Sequence, residues 1–191
     1  GANTYTGQTT VNLGTLSLTT TNNALNGTTG TALALGNNAA FNINNTTQAV
    51  SSIAFYGSGE TVSGASGTLN LGGDVTMDTT ANPNAANTIS VSTLNLNGTR
   101  TFNVGSSNSI FTTSGTVLAM PHLVVSSVIA DGTGTNGLTK TGAGTLALTG
   151  ANTYTGTTTI NGDTLLLGNN GTTGTLSTSG TIVDNGTLGF S

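Results

Sequence analysis

The sequence predicts an all-β chain wound as a β-solenoid of roughly 8–9 coils, and three observations predict it. The phrase GANTYTG stands at 1–7 and again, letter for letter, at 150–156. Short Thr-Leu-x-apolar phrases alternate with the period of two expected of half-buried strands. Only 4% of the 191 residues are charged, where about 25% is usual. Threonine, asparagine, glycine and serine fill the difference: threonine suits a pleated strand, while Asn and Gly suit turns with positive φ. The low charge also argues against disorder, since disordered chains stay solvated through high net charge.

The repeat sets the organisation. At an offset of 149 residues, GANTYTGQTTVNLGTLSL (1–18) aligns with GANTYTGTTTINGDTLLL (150–167), identical at 13 of 18 positions, with Val11 opposite Ile160. The phrase NGTTGT recurs at 26–31 and 170–175, an offset of 144, as if five residues had been gained or lost. A packed globular core tolerates such a change poorly, whereas a solenoid absorbs it in one loop. The chain reads as a single solenoid segment over 1–191, with 1–149 as one long repeat unit and 150–191 as the start of the next.

Individual elements follow in order. TLSL (15–18), TLNL (68–71), TLNL (93–96), TLAL (145–148), TLLL (164–167) and TLGF (187–190) start 53, 25, 52, 19 and 23 residues apart. Those spacings fit one or two coils of about 19–27 residues. In GTLNLGGDVTM (67–77), Leu69, Leu71, Val75 and Met77 form the inward set. In NTISVSTLNLNG (87–98), Ile89 and Val91 share one parity and Leu94 and Leu96 the other, so a bulge or corner is expected at Ser92 and Thr93. The most apolar run, VLAMPHLVVSSVIA (117–130), is too short and too interrupted to span a bilayer. Asn-Gly pairs at 26–27, 97–98, 136–137, 161–162, 170–171 and 185–186 are expected to supply turns. With five Phe, three Tyr and no Trp, the interior is narrow and lined by small aliphatics. At ~4.8 Å per coil, a 149-residue unit of roughly seven coils is ~33 Å long.

The run LTKTGAGTLALTGANTYTGTTTINGDTLLL (138–167) resembles the autotransporter-associated β-strand repeat of bacterial surface proteins. The matching positions are Lys140, Gly142, Gly144, Thr145, Leu146, Leu148, Gly150, Asn152, Tyr154, Gly156, Thr158, Ile160, Gly162 and Leu165. The first copy carries the second half of the pattern at Asn3, Tyr5, Gly7, Val11 and Leu16. It departs at Leu13, where the pattern has glycine, so a different turn is expected there. Residues 19–137 resemble the spacer coils found between such repeats. The resemblance implies a right-handed parallel β-helix in a large secreted or surface-displayed bacterial protein, with no catalytic residues. It makes the chain itself the expected partner, by end-to-end stacking, tandem continuation or lateral bundling, with polysaccharide as an alternative.

Composition narrows the function further. A net charge of −4, with Arg100 and Lys140 the only cations, excludes a phosphate-binding surface and so nucleic acid. Without cysteine there is neither a disulfide framework nor a thiolate metal site, and no cofactor is expected. His122 reads as a turn or strand-end residue, because general-base work needs a carboxylate or nucleophile beside it. Glu60, Asp74, Asp78, Asp131, Asp163 and Asp184 read as solvated turn acids. Asp163 and Asp184, about one coil apart, are the pair that could stack around a cation or act on a glycoside. DGTGTNG (131–137) lacks the Gly-Lys-Ser/Thr of a phosphate loop and reads as a turn. Lys140 is expected at the surface or at a corner. Tyr5 and Tyr154 are expected to share one packing role, or to stack on sugars if exposed. The Asn-x-Thr sequons at Asn26, Asn97 and Asn170 follow from composition alone. The chain begins inside a repeat without an initiating Met, and reads as a mature product or a segment. The functional expectation is a structural fibre segment, with an adhesin second and a carbohydrate-active enzyme remote. So few ionisable groups imply stability nearly indifferent to pH and salt, and two tryptic sites imply slow proteolysis.

Overall fold

A computed structural model describes residues 3–19, 21–78, 85–106, 112–113, 116–117, 120–171 and 173–191. Gly1 and Ala2 of the first motif copy and Leu118 and Ala119 of the apolar run lie outside the described residues. Among these residues there are nineteen strands and no helix. The strands are too short to bury a face alone, and all but β10 and β11 pair in parallel with strands of neighbouring coils.

Three faces result. The first stacks β1 (Thr9–Val11), β3 (Thr31–Leu35), the end of β5 (Thr47–Phe55), β7 (Val75–Met77), β9 (Arg100–Val104), β14 (Leu138–Thr141), β16 (Thr158–Ile160) and β18 (Ile182–Asp184). The second stacks β2 (Thr15–Ser17), β4 (Ala40–Asn42), the start of β6 (Thr61–Leu71), the start of β8 (Asn87–Asn95), β12 (Leu123–Val125), β15 (Leu146–Leu148), β17 (Thr164–Leu167) and β19 (Thr187–Phe190). The third is built from the start of β5, the ends of β6 and β8, and β13 (Val128–Ala130).

The chain is a parallel β-solenoid of about seven turns, slightly fewer than the 8–9 coils expected. The register gives the reason. On the first face Thr9 lies 24 residues from its partner Leu33, Leu33 20 from Ile53, Ile53 22 from Val75, and Val75 27 from Phe102. The next step, Phe102 to Lys140, takes 38, followed by 20 to Ile160 and 24 to Asp184. One coil thus absorbs the residues of nearly two, and it contains the antiparallel pair β10 (Thr112–Thr113) and β11 (Thr116–Val117). For the same reason β1 and β16, the strands of the two motif copies, stand six steps apart, which is ~29 Å at ~4.8 Å each.

Registered stacking aligns like with like. Phe41, Val62, Ile89, Val125, Leu148 and Leu167 form one buried column, and Leu69, Leu94 and Ile129 another. The inward set Leu69, Leu71, Val75 and Met77 is buried as the alternation required. The parity flip in β8 is a corner: its start pairs with β12 and its end with β13. Opposite Ser92, β6 pairs Gly64 with Val91 and Thr68 with Thr93, so residues 65–67 form a bulge that exposes Ala65 and Ser66.

Turns follow asparagine more than the Asn-Gly pair. Asn26 and Gly27, Asn97 and Gly98, and Asn170 and Gly171 are left-handed at both positions, whereas the other three pairs are not. Asn23, Asn38 and Asn44 turn the chain with no glycine after them. The displaced NGTTGT phrase is not an insertion: Thr9 to Leu33 and Thr158 to Ile182 both take 24 residues. The turn has moved along a coil of unchanged length.

Candidate functional site

The residues shared by the two motif copies converge on contacts between coils. Asn152 sits where the third-face ladder is interrupted, and its side chain replaces the missing backbone. Its Oδ1 accepts the Ile129 N–H at 2.9 Å from the coil before, and its Nδ2 donates to the Thr175 carbonyl at 2.8 Å in the coil after. Asn3 makes the same upward contact, donating from Nδ2 to the Ala24 carbonyl at 2.9 Å. The tyrosines also match: the hydroxyls of Tyr154 and Thr158 are 2.6 Å apart, those of Tyr5 and Thr9 2.7 Å.

What differs between the copies is the coil beneath. Thr153 and Tyr154 donate their N–H groups to the Ile129 carbonyl. The Asp131 carboxylate accepts the Thr155 N–H and, at 2.7 Å, its hydroxyl. Burial pushes the Asp131 pKa up, but Thr155 and the Asn136 N–H more than offset it and hold the carboxyl below its usual value. Tyr154 is consequently 1% exposed and Tyr5, on the first coil, 42%. Burial pushes the Tyr154 pKa up to about 12, against a smaller opposing effect from Thr158. DGTGTNG is a turn, closed by Asn136 Nδ2 on the carbonyls of Asp131 and Thr133.

Lys140 is not a surface residue but an inward one of β14, and only its ammonium reaches the corner that follows. It lies between Phe102 and Ile160 in the inward column and is fully buried. Its methylenes fill aliphatic space, while Nζ donates to the carbonyls of Thr141, Gly142 and, one coil on, Gly162 at 2.9, 2.8 and 3.1 Å. The parity shared with Leu138 was the signal in the sequence. Desolvation lowers the Lys140 pKa to about 8, partly countered by Asp163. Gly142 takes φ +80°, and a Cβ on Gly144 would stand 2.2 Å from the Gly105 carbonyl oxygen. Leu146, Leu148, Ile160 and Leu165 are buried, and Val11 and Leu16 partly so. Leu13 is exposed, yet the turn is unchanged: Gly14 and Asp163, the same motif position, are both left-handed.

The other candidates are structural caps. His122 Nδ1 accepts the Thr145 N–H at 3.0 Å, and Asp74 Oδ1 accepts the Thr101 N–H at 2.8 Å. Asp163 and Asp184 do not stack, because Asp184 registers on Ile160 and Thr187 on Thr164. Among the described residues no three of His, Cys, Asp and Glu are grouped to hold a metal. Glu60 is not a solvated turn acid. It shares the inward parity of Val62 and is fully buried, and neither carboxyl oxygen has a hydrogen-bond partner. With Lys140 and Glu60 both buried, stability is expected to depend on pH, contrary to the indifference that the low charge implied.

Outside, the third face carries a groove of about 580 Å³ lined by Thr28, Thr29, Asn70, Asn95, Asn97 and Thr133 among others, none of them charged. Asn95 Nδ2 donates to Asn70 Oδ1 at 2.9 Å across one coil step.

A family model described as the passenger-associated-transport-repeat matches residues 1–18 and 138–167. Neither a curated protein nor a solved structure matches the chain. The repeat match and the solenoid together fit an autotransporter passenger-type β-helix repeat protein.

Two predictions follow from the paired copies and the buried lysine. A Cβ on Gly156 would lie 2.4 Å from the Asn136 backbone, whereas one on Gly7 meets nothing within 4 Å. In urea unfolding, Gly156→Ala should therefore cost at least about 2 kcal/mol and Gly7→Ala less than about 0.5. For Lys140 the folded pKa is depressed, so the penalty of burying the ammonium is present below about pH 8 and is relieved as pH rises toward 10.5. Stability should rise by about 1 kcal/mol between pH 7.5 and 9.5 in the native chain and stay flat in Lys140→Met.

Proposed function

We propose that this chain is a non-enzymatic structural stretch of a bacterial extracellular or cell-surface β-helical fibre, extended by tandem continuation or by head-to-tail stacking of copies. One observation carries this reading: both motif copies direct the same side chains, Asn3 and Asn152, onto the next coil's carbonyl. A phrase whose repeated content ties coil to coil is a unit for propagating a stack. The match to a passenger-associated repeat supports the surface assignment.

Among the described residues β1 and β2 pair with β3 and β4, and β18 and β19 with β16 and β17, in the same parallel register as the inner coils, so the ladder is one that further rungs can extend. His122 and the described turn acids are engaged in capping, which favours a scaffold over a hydrolase. Among the described residues no helix is long and apolar enough to cross a membrane.

A second reading, adhesion to a neutral polysaccharide, is favoured by the uncharged Asn- and Thr-lined groove of the third face. Electron microscopy of one, two and three concatenated 149-residue units tests the first reading. The expected particles are straight rods that lengthen by ~29 Å per unit, and compact particles of constant aspect ratio would rule it out. Saturable glycan binding lost in Asn95→Asp would transfer the assignment to the second.

A further inference from the structure

Glu60 occupies a place in the stack that no other acid does. It follows the turn between the first and second faces, registered between Ala39 of the coil before and Asn87 of the coil after. The Asn87 amide, which could have served the carboxyl, is committed to backbone. Its Oδ1 takes the Glu60 N–H at 2.9 Å, and its Nδ2 donates to the Gly57 carbonyl at 3.1 Å. Asn37 brings another acceptor: a Cβ on Gly57 would meet Asn37 Oδ1 at 2.3 Å and Glu60 Oε1 at 2.7 Å.

Among the described residues no charge faces the carboxyl from any packed element. The coil before offers Ala39 and Asn37, its own turn offers Gly57 and Ser58, and the coil after offers Asn87 and Ala85. Tyr56 presents its phenol to solvent. A buried carboxyl in such surroundings is tolerated while neutral and costly once ionised. With hydrogen-bonded coils above and below, only the turn itself can yield and let water in.

We propose that the turn bearing Glu60 is a proton-operated joint in the rod, closed while the carboxyl is protonated and opened to water when it ionises, with the neighbouring coils remaining stacked. Desolvation raises the Glu60 pKa to about 7 from 4.5, outweighing the lowering effect of the Gly57 and Tyr56 backbone and the Asn87 side chain, which approach the carboxyl but do not reach hydrogen-bond geometry with it. The folded value is the higher one, so the stabilisation is fully present below pH 4.5 and is lost as pH rises through about 7. A fibre built this way is stiffest in acid surroundings, the reverse of ordinary acid denaturation.

Hydrogen exchange on the intact chain tests the joint at pH 5.5 and pH 8, corrected for intrinsic exchange. The Thr61 N–H, bonded to Ala39, and the Glu60 N–H, bonded to Asn87, should lose protection by about tenfold or more at pH 8. The second-face amides around Leu148 should not change. Glu60→Gln should keep protection at both pH values. Equal wild-type protection at both, pH dependence that persists in Glu60→Gln, or a loss spread over all coils would each overturn the proposal. Should Glu60→Gln not fold, carbon-13 NMR of the wild-type carboxyl decides: a midpoint near 7 supports the joint, and one near 4.5 removes it.

Discussion

Each coil is held by the backbone ladder it forms with the next, and that ladder forces residues one coil apart into register. Everything else in the molecule answers to it. An inward residue does not pack against an arbitrary neighbour; it stacks on the residue in its own column, as Phe41 does on Val62 and Leu148 on Leu167. The interior can then be lined with modest aliphatics, because order along the column supplies the packing that bulk supplies in a globular core. Coil length is only weakly constrained, since residues between registered strands leave the stack as loops. A 38-residue step is therefore accommodated beside 20-residue ones.

Where the ladder breaks at corners, side-chain amides replace it. Asn152 bridges two coils. Gln48 accepts the Ala24 N–H through Oε1 and donates from Nε2 to Thr21 and Thr46. Asn87 ties Glu60 to Gly57. An amide carries both donor and acceptor, so it can satisfy a backbone N–H and a carbonyl at once without adding charge. That economy explains how a chain with 4% charged residues and abundant asparagine encloses so many polar groups.

The two buried ionisable groups show the two outcomes of placing charge in such a column. Lys140 has a reach of four methylenes and ends among three carbonyls, so its burial cost is largely met by hydrogen bonds. Glu60 is short, its natural amide partner is already engaged, and its oxygens are left bare. One residue fastens a corner and the other makes a corner conditional on pH, although both stand at inward positions of the same kind of turn.

Alternation and repetition are local, and they were legible from the chain alone: the all-β class, the inward sets, the corner at Ser92 and the equivalence of Tyr5 and Tyr154. Parity even marked Lys140 and Glu60 as inward, since each lies two residues from a buried Leu138 or Val62. Prior expectation about charged residues, rather than the pattern, placed them outside. The coil count, the six-step span of the repeat and the face that each Thr-Leu phrase occupies could not be obtained this way. TLNL at 68 and 93 lies on the third face, while TLAL, TLLL and TLGF lie on the second. Strand propensity is written in neighbouring residues, but register is settled between segments twenty to forty residues apart, by where each loop returns the chain. Only the assembled stack decides that, and with it which polar groups find partners.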